Sequence, residues 1–392
     1  MSTVLLIGTG AAGAVVTQKM AQLPNIFSRI HIANRSWEKC QRLAEQCKGA
    51  VTPHQVNADY DHEVVSLIEK TQAELVINMA LPYQDLSIMR ACIQTQTHYL
   101  DTANYEPKEE AKFSYSWQWD LDQAFKSAHC MALLGCGFDP GVTNAFCAYA
   151  KQHLFDEIET IDIVDCNDGA HEHPFATNFN PEINIREITQ RGRYYANGKW
   201  IETEPLSESK EIDFPQIGSR KAYLMYHEEL ESLVKHLPEI KRIRFWMTFS
   251  ETYLNHLKVL QNVNMTSIEP IMYDGKEIVP LQFLKEVLPS PASLGQSYQG
   301  KTCIGCIIKG RQNGRDKQIV IYNICDHQNA FQELNAQAVS YTTGVPAMVG
   351  AKQVLTGAWM QHGTVNIEQL DPMPFLKDLA NHGLPWHVED QS

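Results

Sequence analysis

The sequence predicts an α/β protein: an N-terminal doubly wound domain on a parallel sheet, with an inserted α+β domain built on a largely antiparallel sheet. Three observations carry this. Short, continuous apolar runs such as Val4–Ile7 and Met131–Leu134 alternate with helical patterns through the first third of the chain, as strands buried on both faces of a parallel sheet do. After about Val142, strand-like segments cluster around Asn197-Gly198, Asp274-Gly275 and Asn313-Gly314, dipeptides that suit tight hairpin turns. Helical periodicity then resumes over Gln332–Thr342 and Ala347–Met360, with Gly344-Val345-Pro346 between them. The expected division is a first domain over 1–142 completed by helices near 332–362, an inserted domain over 143–331, and a C-terminal segment over 363–392.

The first strand runs straight into Gly8-Thr9-Gly10-Ala11-Ala12-Gly13 and then into a helical stretch, Ala14–Ala21. A G-x-G-x-x-G between first strand and first helix marks an NAD(P)-binding Rossmann domain. Gly8 allows the tight turn, and Gly10, with Ala11 and Ala12 beside it, lets the backbone approach a pyrophosphate. Gly13 permits close helix–strand packing, and the helix N-terminus supplies N–H donors. The next strand, Arg29–Ala33, ends at Asn34-Arg35-Ser36, where an NAD site carries an acidic residue for the ribose 2′-hydroxyl. An arginine and a hydroxyl stand there instead. A guanidinium can fork onto a 2′-phosphate that a carboxylate would repel, so the cofactor expected is NADP(H).

Ligands of such sheets lie at the carboxyl ends of the strands. Those ends carry Ala80-Leu81-Pro82, Thr102-Ala103-Asn104-Tyr105 and Gly135-Cys136-Gly137-Phe138-Asp139-Pro140-Gly141. Ala80, Leu81, Pro82, Thr102, Ala103, Gly137, Phe138, Pro140 and Gly141 therefore join the cofactor candidates. Asp101 and Asp139 are placed to relay a proton near the nicotinamide, and Cys136 to line its pocket. Strand-end aspartates also cap turns, and no adjacent base argues for a nucleophilic thiol.

Composition bounds the function. The 392 residues are enough for two or three domains at roughly 150 residues each, and 33 Lys+Arg against 46 Asp+Glu leave a net charge of −13. That balance argues against nucleic acid or an anionic membrane face, which want basic patches, and suits a cationic ligand. No apolar run approaches the ~20 residues of a membrane span, and the opening Ser2-Thr3 pair and Gly-broken strand do not form an export signal. A cytoplasmic protein with reduced thiols is expected. Ten cysteines are scattered singly except Cys303 and Cys306, which fall in an alternating, strand-like stretch. His171 and His173 lack a third metal ligand, so no metal is expected.

The motifs together are recognisable. Val4–Gly13, Ala80–Tyr83, Tyr99–Pro107 and Leu134–Asn144 resemble the saccharopine dehydrogenase family. Segments 173–187 and 341–346 resemble the branch of it that makes carboxynorspermidine. The resemblance implies NADPH-dependent condensation of L-aspartate 4-semialdehyde with 1,3-diaminopropane or putrescine, in a homodimer formed through the inserted sheet. Saccharopine and homospermidine-forming relatives share the Gly-rich and Asp-Pro-Gly elements and take other amines. A non-catalytic NADP(H)-sensing dimer is a further alternative, and turnover that needs both aldehyde and amine separates it from an enzyme. For the chemistry implied, Arg186, on an expected strand Ile183–Ile188, is the candidate for the substrate carboxylate. Tyr105, Asn178 and Glu182 are further substrate-binding candidates, and acidic side chains should hold the diamine.

Overall fold

The computed structural model describes residues 2–392. Its first sheet has seven strands in the order Gly363–Asn366, Met131–Leu134, His98–Asp101, Leu75–Asn78, Ser2–Ile7, Phe27–Asn34 and Val51–Gln55. Every pairing is parallel. Val4–Leu6, Leu75–Ile77 and Met131–Leu133 are fully buried, which is why these strands read as unbroken apolar runs.

The second sheet has nine strands. Glu157–Asn167 lies at its centre, with Lys301–Gln312 antiparallel on one side and Arg242–Thr248 parallel on the other. The three predicted turns close two-residue hairpins, Ala196 opposite Lys199, Tyr273 opposite Lys276 and Gln312 opposite Arg315. Both central residues of each have positive φ, the twist that joins antiparallel strands tightly. The last residues divide between the sheets: Gly363–Asn366 edges the first, and Trp386–Asp390 pairs with Arg315–Asp326 in the second.

Three elements differ from the sequence expectation. Residues 183–188 form a helix, Pro181–Thr189, not a strand. Asn180 caps it, accepting from the N–H groups of Glu182 and Ile183, and Pro181 starts its first turn; this start signal outweighs the β-branched isoleucines. Residues 338–355 form one helix that runs through Pro346. It is buried along nearly its whole length and packs on helix Ala11–Ala21, where a Cβ on Gly344 would lie 2.7 Å from the Val15 side chain; this burial on all sides outweighs the proline. The helical stretch after Tyr115 splits into Ser116–Trp119 and Asp122–Ser127. Among the described residues, no helix is long and apolar enough to cross a membrane.

Candidate active site

The Gly-rich turn separates packing from ligand requirements. A Cβ on Gly8 would strike the Met79 carbonyl at 2.3 Å, and one on Gly13 would strike the Gly8 oxygen at 2.0 Å, so the fold itself demands these two glycines. A Cβ on Gly10 meets nothing within 4 Å. The space before Gly10, and the first N–H groups of helix Ala11–Ala21, which no side chain caps, fit a pyrophosphate. Across the turn Ser36 caps helix Trp37–Gln46 and its N–H donates to Asn34 Oδ1 at 3.0 Å. Arg35 between them is exposed, free to meet a 2′-phosphate. Ala80 donates to Asn78 Oδ1 at 3.0 Å, and Leu81 leads into a single turn that begins at Pro82.

The later strand ends are more tightly braced than expected. Asp101 is buried, accepting from the Gly135 N–H and from Gln118 Nε2 at 2.7 Å each. Burial pushes its carboxyl up to about 8, against the pull of those donors. It holds two loops together and is a positioning residue for them. Thr102 and Ala103 follow, half-exposed. Cys136 is fully buried, its thiol toward the Pro346 carbonyl and its sulfur 2.2 Å from where a Cβ on Gly350 would lie. Burial pushes the thiol far up, against thiolate formation, and Cys136 packs against helix 338–355. Phe138 is likewise core, edge-on to Phe146. Gly137 donates to the Pro140 carbonyl and Gly141 to Asn144 Oδ1. These N–H groups are therefore spent on shaping the loop and not on a cofactor. The residue that loop projects is Asp139.

Asp139 meets a cluster that sequence reasoning missed. Just before helix Glu229–His236, His227 is buried, stacked on Phe245, and bonded through Nδ1 to Glu229, with Glu228 at 3.6 Å. Burial disfavours its charge, but Glu229, Glu228 and Asp139 hold it well above the usual histidine range, as an imidazolium. Asp165, at the end of strand Glu157–Asn167, faces the same place. Burial pushes it up to about 6; burial and Asp165 together push Asp139 well above the ordinary carboxylate range. Of the pair, Asp139 is therefore the one that holds a proton more firmly and Asp165 the one that ionises more readily. Glu187 is raised by the same burial and by its acidic neighbours. Asp139 Oδ2, Glu229 Oε1 and both side-chain polar atoms of Asn104 are buried without partners, which marks ligand positions more than finished packing. Three consecutive titratable residues, His227-Glu228-Glu229, were the available signal.

The substrate candidates scatter. Arg186 is buried on its helix, and four of its five N–H groups are engaged: Nε with Glu106, Nη1 with the Lys108 carbonyl at 2.9 Å, and Nη2 with the carbonyls of Pro107 and Glu110 at 2.8 and 3.1 Å. It clamps loop 106–110, which leaves one Nη1 N–H and no two-pronged fork for a substrate carboxylate. Glu182 is likewise taken, by the Tyr83 hydroxyl at 3.0 Å and Lys285 at 3.1 Å. Tyr105 packs edge-on against Trp117. Asn178 does reach a cavity, of about 360 Å³, that runs from Asp165 to aromatic walls including Phe175, Phe249, Tyr253 and Tyr298.

A parallel sheet with this pyrophosphate turn, facing an acidic cleft on a second domain, defines a two-domain NADP-dependent oxidoreductase. The chain belongs to the saccharopine dehydrogenase family. Residues 4–133 match its NADP binding domain and residues 137–384 its C-terminal domain. Among curated relatives, the carboxyaminopropylagmatine dehydrogenase of Synechocystis is 55% identical over 388 residues, covering 99% of this chain and 97% of that one. The carboxynorspermidine synthase of Vibrio alginolyticus is 41% identical over 401 residues, again covering 99% and 97%. Apo saccharopine dehydrogenase (L-Glu forming) of Saccharomyces cerevisiae superposes with a TM-score of 0.74 at 13% identity, over 100% of both chains, a likeness of fold.

Proposed function

We propose that this enzyme condenses L-aspartate 4-semialdehyde with a primary amine bearing a second cationic group, and reduces the product with NADPH, as a step of polyamine synthesis. The observation that carries this reading is the surplus of carboxyl groups, Asp139, Asp165, Glu187, Glu228 and Glu229, around the lone His227. An anionic substrate would aggravate that surplus, and an amine with two cationic centres offsets it. The relatives' names support amine adducts of this kind. The higher identity favours agmatine as the amine; 1,3-diaminopropane or putrescine is the second reading, supported by the carboxynorspermidine synthases.

In this mechanism bound NADPH supplies hydride to the imine carbon. Asp165 accepts a proton from the incoming ammonium, leaving a neutral amine to add to the aldehyde. Protonated Asp139 then donates to the hydroxyl of the adduct, which leaves as water, and the iminium that remains is ready for reduction. Asn104 offers a free amide to the aldehyde's polar end, and imidazolium His227 holds Glu228 and Glu229 in register. The two domains keep the reacting atoms close and dry, which is most of the catalysis needed. We further propose a cytoplasmic homodimer. Ten unpaired cysteines fit a reducing compartment, and Met272, Tyr273, Phe283 and Val287 leave an apolar surface exposed on the second domain. The test is NADPH consumption with aldehyde and amine together against each alone. Turnover that needs both supports the reading; equal turnover with aldehyde alone overturns it.

A further inference from the structure

We infer that the cavity beyond Asp165 seats the far end of the amine, and that its walls select a planar guanidinium over an ammonium. The inference rests on the amine-condensing reading above and adds to it a place and a preference. Asp165 is the only carboxylate in the cavity wall, and it stands at the end next to Asp139. Further in, the wall is aromatic. Tyr253 stacks on Phe175 at 4.9 Å and 27°, and on Phe249 at 5.7 Å and 22°. Opposite, Tyr298 stacks on His327 at 3.7 Å and meets the edge of His171 at 5.1 Å.

A compact ammonium is strongly hydrated and asks for a carboxylate when it leaves water. A guanidinium is weakly hydrated, flat, and stacks on aromatic faces. This wall offers the second cation what it wants and the first very little. The tyrosine hydroxyls are already committed to holding the wall: Tyr298 donates to Asn178 Oδ1 at 2.7 Å, Asn167 Nδ2 donates to Tyr298 at 2.8 Å, and Tyr253 donates to Asn184 Oδ1 at 2.7 Å. Two buried polar atoms of the wall have no partner, Thr248 Oγ1 and His171 Nδ1. Burial together with His173 lowers the tendency of the His171 ring to protonate. With its proton on Nε2, the neutral ring presents an acceptor for a guanidinium N–H.

The test compares kcat/KM for agmatine and putrescine at saturating aldehyde and NADPH, in the unmodified enzyme and in Phe249→Leu and His171→Phe. The ratio of the two values is independent of the fraction of enzyme folded, so a loss of stability in a variant does not blur it. The unmodified enzyme should prefer agmatine, and each variant should lower the agmatine-to-putrescine ratio by roughly tenfold. A preference for agmatine with an unchanged ratio in both variants overturns the cavity assignment and leaves the amine reading standing. A preference for putrescine or 1,3-diaminopropane in the unmodified enzyme overturns the choice of agmatine, and the cavity assignment with it.

Discussion

Two buried ionic clusters lie between the domains, and they differ in how far their charges are satisfied. Around Arg186 every nitrogen of the guanidinium is engaged by Glu106 or by a carbonyl of loop 106–110, and one atom, Glu106 Oε2, is left without a partner. Around His227 several carboxyl groups face one imidazolium, and four polar atoms of Asp139, Glu229 and Asn104 are left without partners. A buried charge that is largely answered holds structure; one that is answered far less is a place for a ligand. The difference redirects attention from the arginine that the sequence favoured to Asp139, which the sequence also offered, and to the acids gathered around it, which it did not.

The comparison is broken most directly at Asp139. Asp139→Asn keeps the shape of the side chain and removes its exchangeable acid proton, so kcat/KM should fall by about 10²–10⁴-fold. NADPH affinity and melting temperature should hold. A variant with near-normal turnover would remove Asp139 from the chemistry.

Arg186→Ala tests the other cluster. It strands Glu106 in the interior and should cost about 3–5 kcal/mol of folding stability, measured by urea denaturation, with the aldehyde KM of the folded enzyme nearly unchanged. A normal melting curve with a selective rise in aldehyde KM would reverse the roles assigned to the two clusters. A third, smaller effect concerns the cofactor. Arg35→Asp should weaken NADPH binding by about 1–3 kcal/mol and move preference toward NADH; equal use of both cofactors before mutation would sink that assignment.

The smallest effect is one of pH. Burial pushes Asp101 up to about 8 and Asp165 up to about 6, so the folded chain keeps protons that the unfolded chain releases near pH ~4. Raised acids penalise folding as the pH climbs from that value through about 8. His227, raised by its acidic neighbours, contributes stability below pH ~6.5 that is lost as pH rises through its higher folded value. Both act in the same direction. The apoenzyme should therefore melt lower at pH 8 than at pH 6, and agmatine should raise the melting temperature more at the higher pH. Equal melting temperatures at the two pH values would mean that the cluster is not held as described.

The fold was legible wherever its signal was local. The glycine spacing, apolar strand runs and Asn-Gly or Asp-Gly turns each depend on residues a few positions apart, and each element formed as expected. Helix Pro181–Thr189 carried its own start signal, Asn180-Pro181, which the isoleucines obscured. The acidic cleft was harder to read because it is assembled from afar: Asp139 follows a strand of the first sheet, Asp165 ends a strand of the second, and His227 precedes a helix. Periodicity cannot report such a meeting. Whether a buried arginine is free or committed is equally invisible, since Arg186 is answered by Glu106 and by main-chain carbonyls 76–80 positions earlier in the chain.

The strand Gly363–Asn366 has a consequence for how the molecule is made. It pairs with Met131–Leu134, so about 230 residues, all of the second sheet except strand Trp386–Asp390 among them, are synthesised between one edge of that pairing and the other. At roughly 5–20 residues per second a ribosome takes about 10–50 s to cover that interval. Throughout it the nascent first sheet carries an open edge at Met131–Leu134, and its first helix lacks the cover later supplied by residues 338–355. The half that binds nucleotide is begun first, and it stays open at that edge while nearly all of the other half is made.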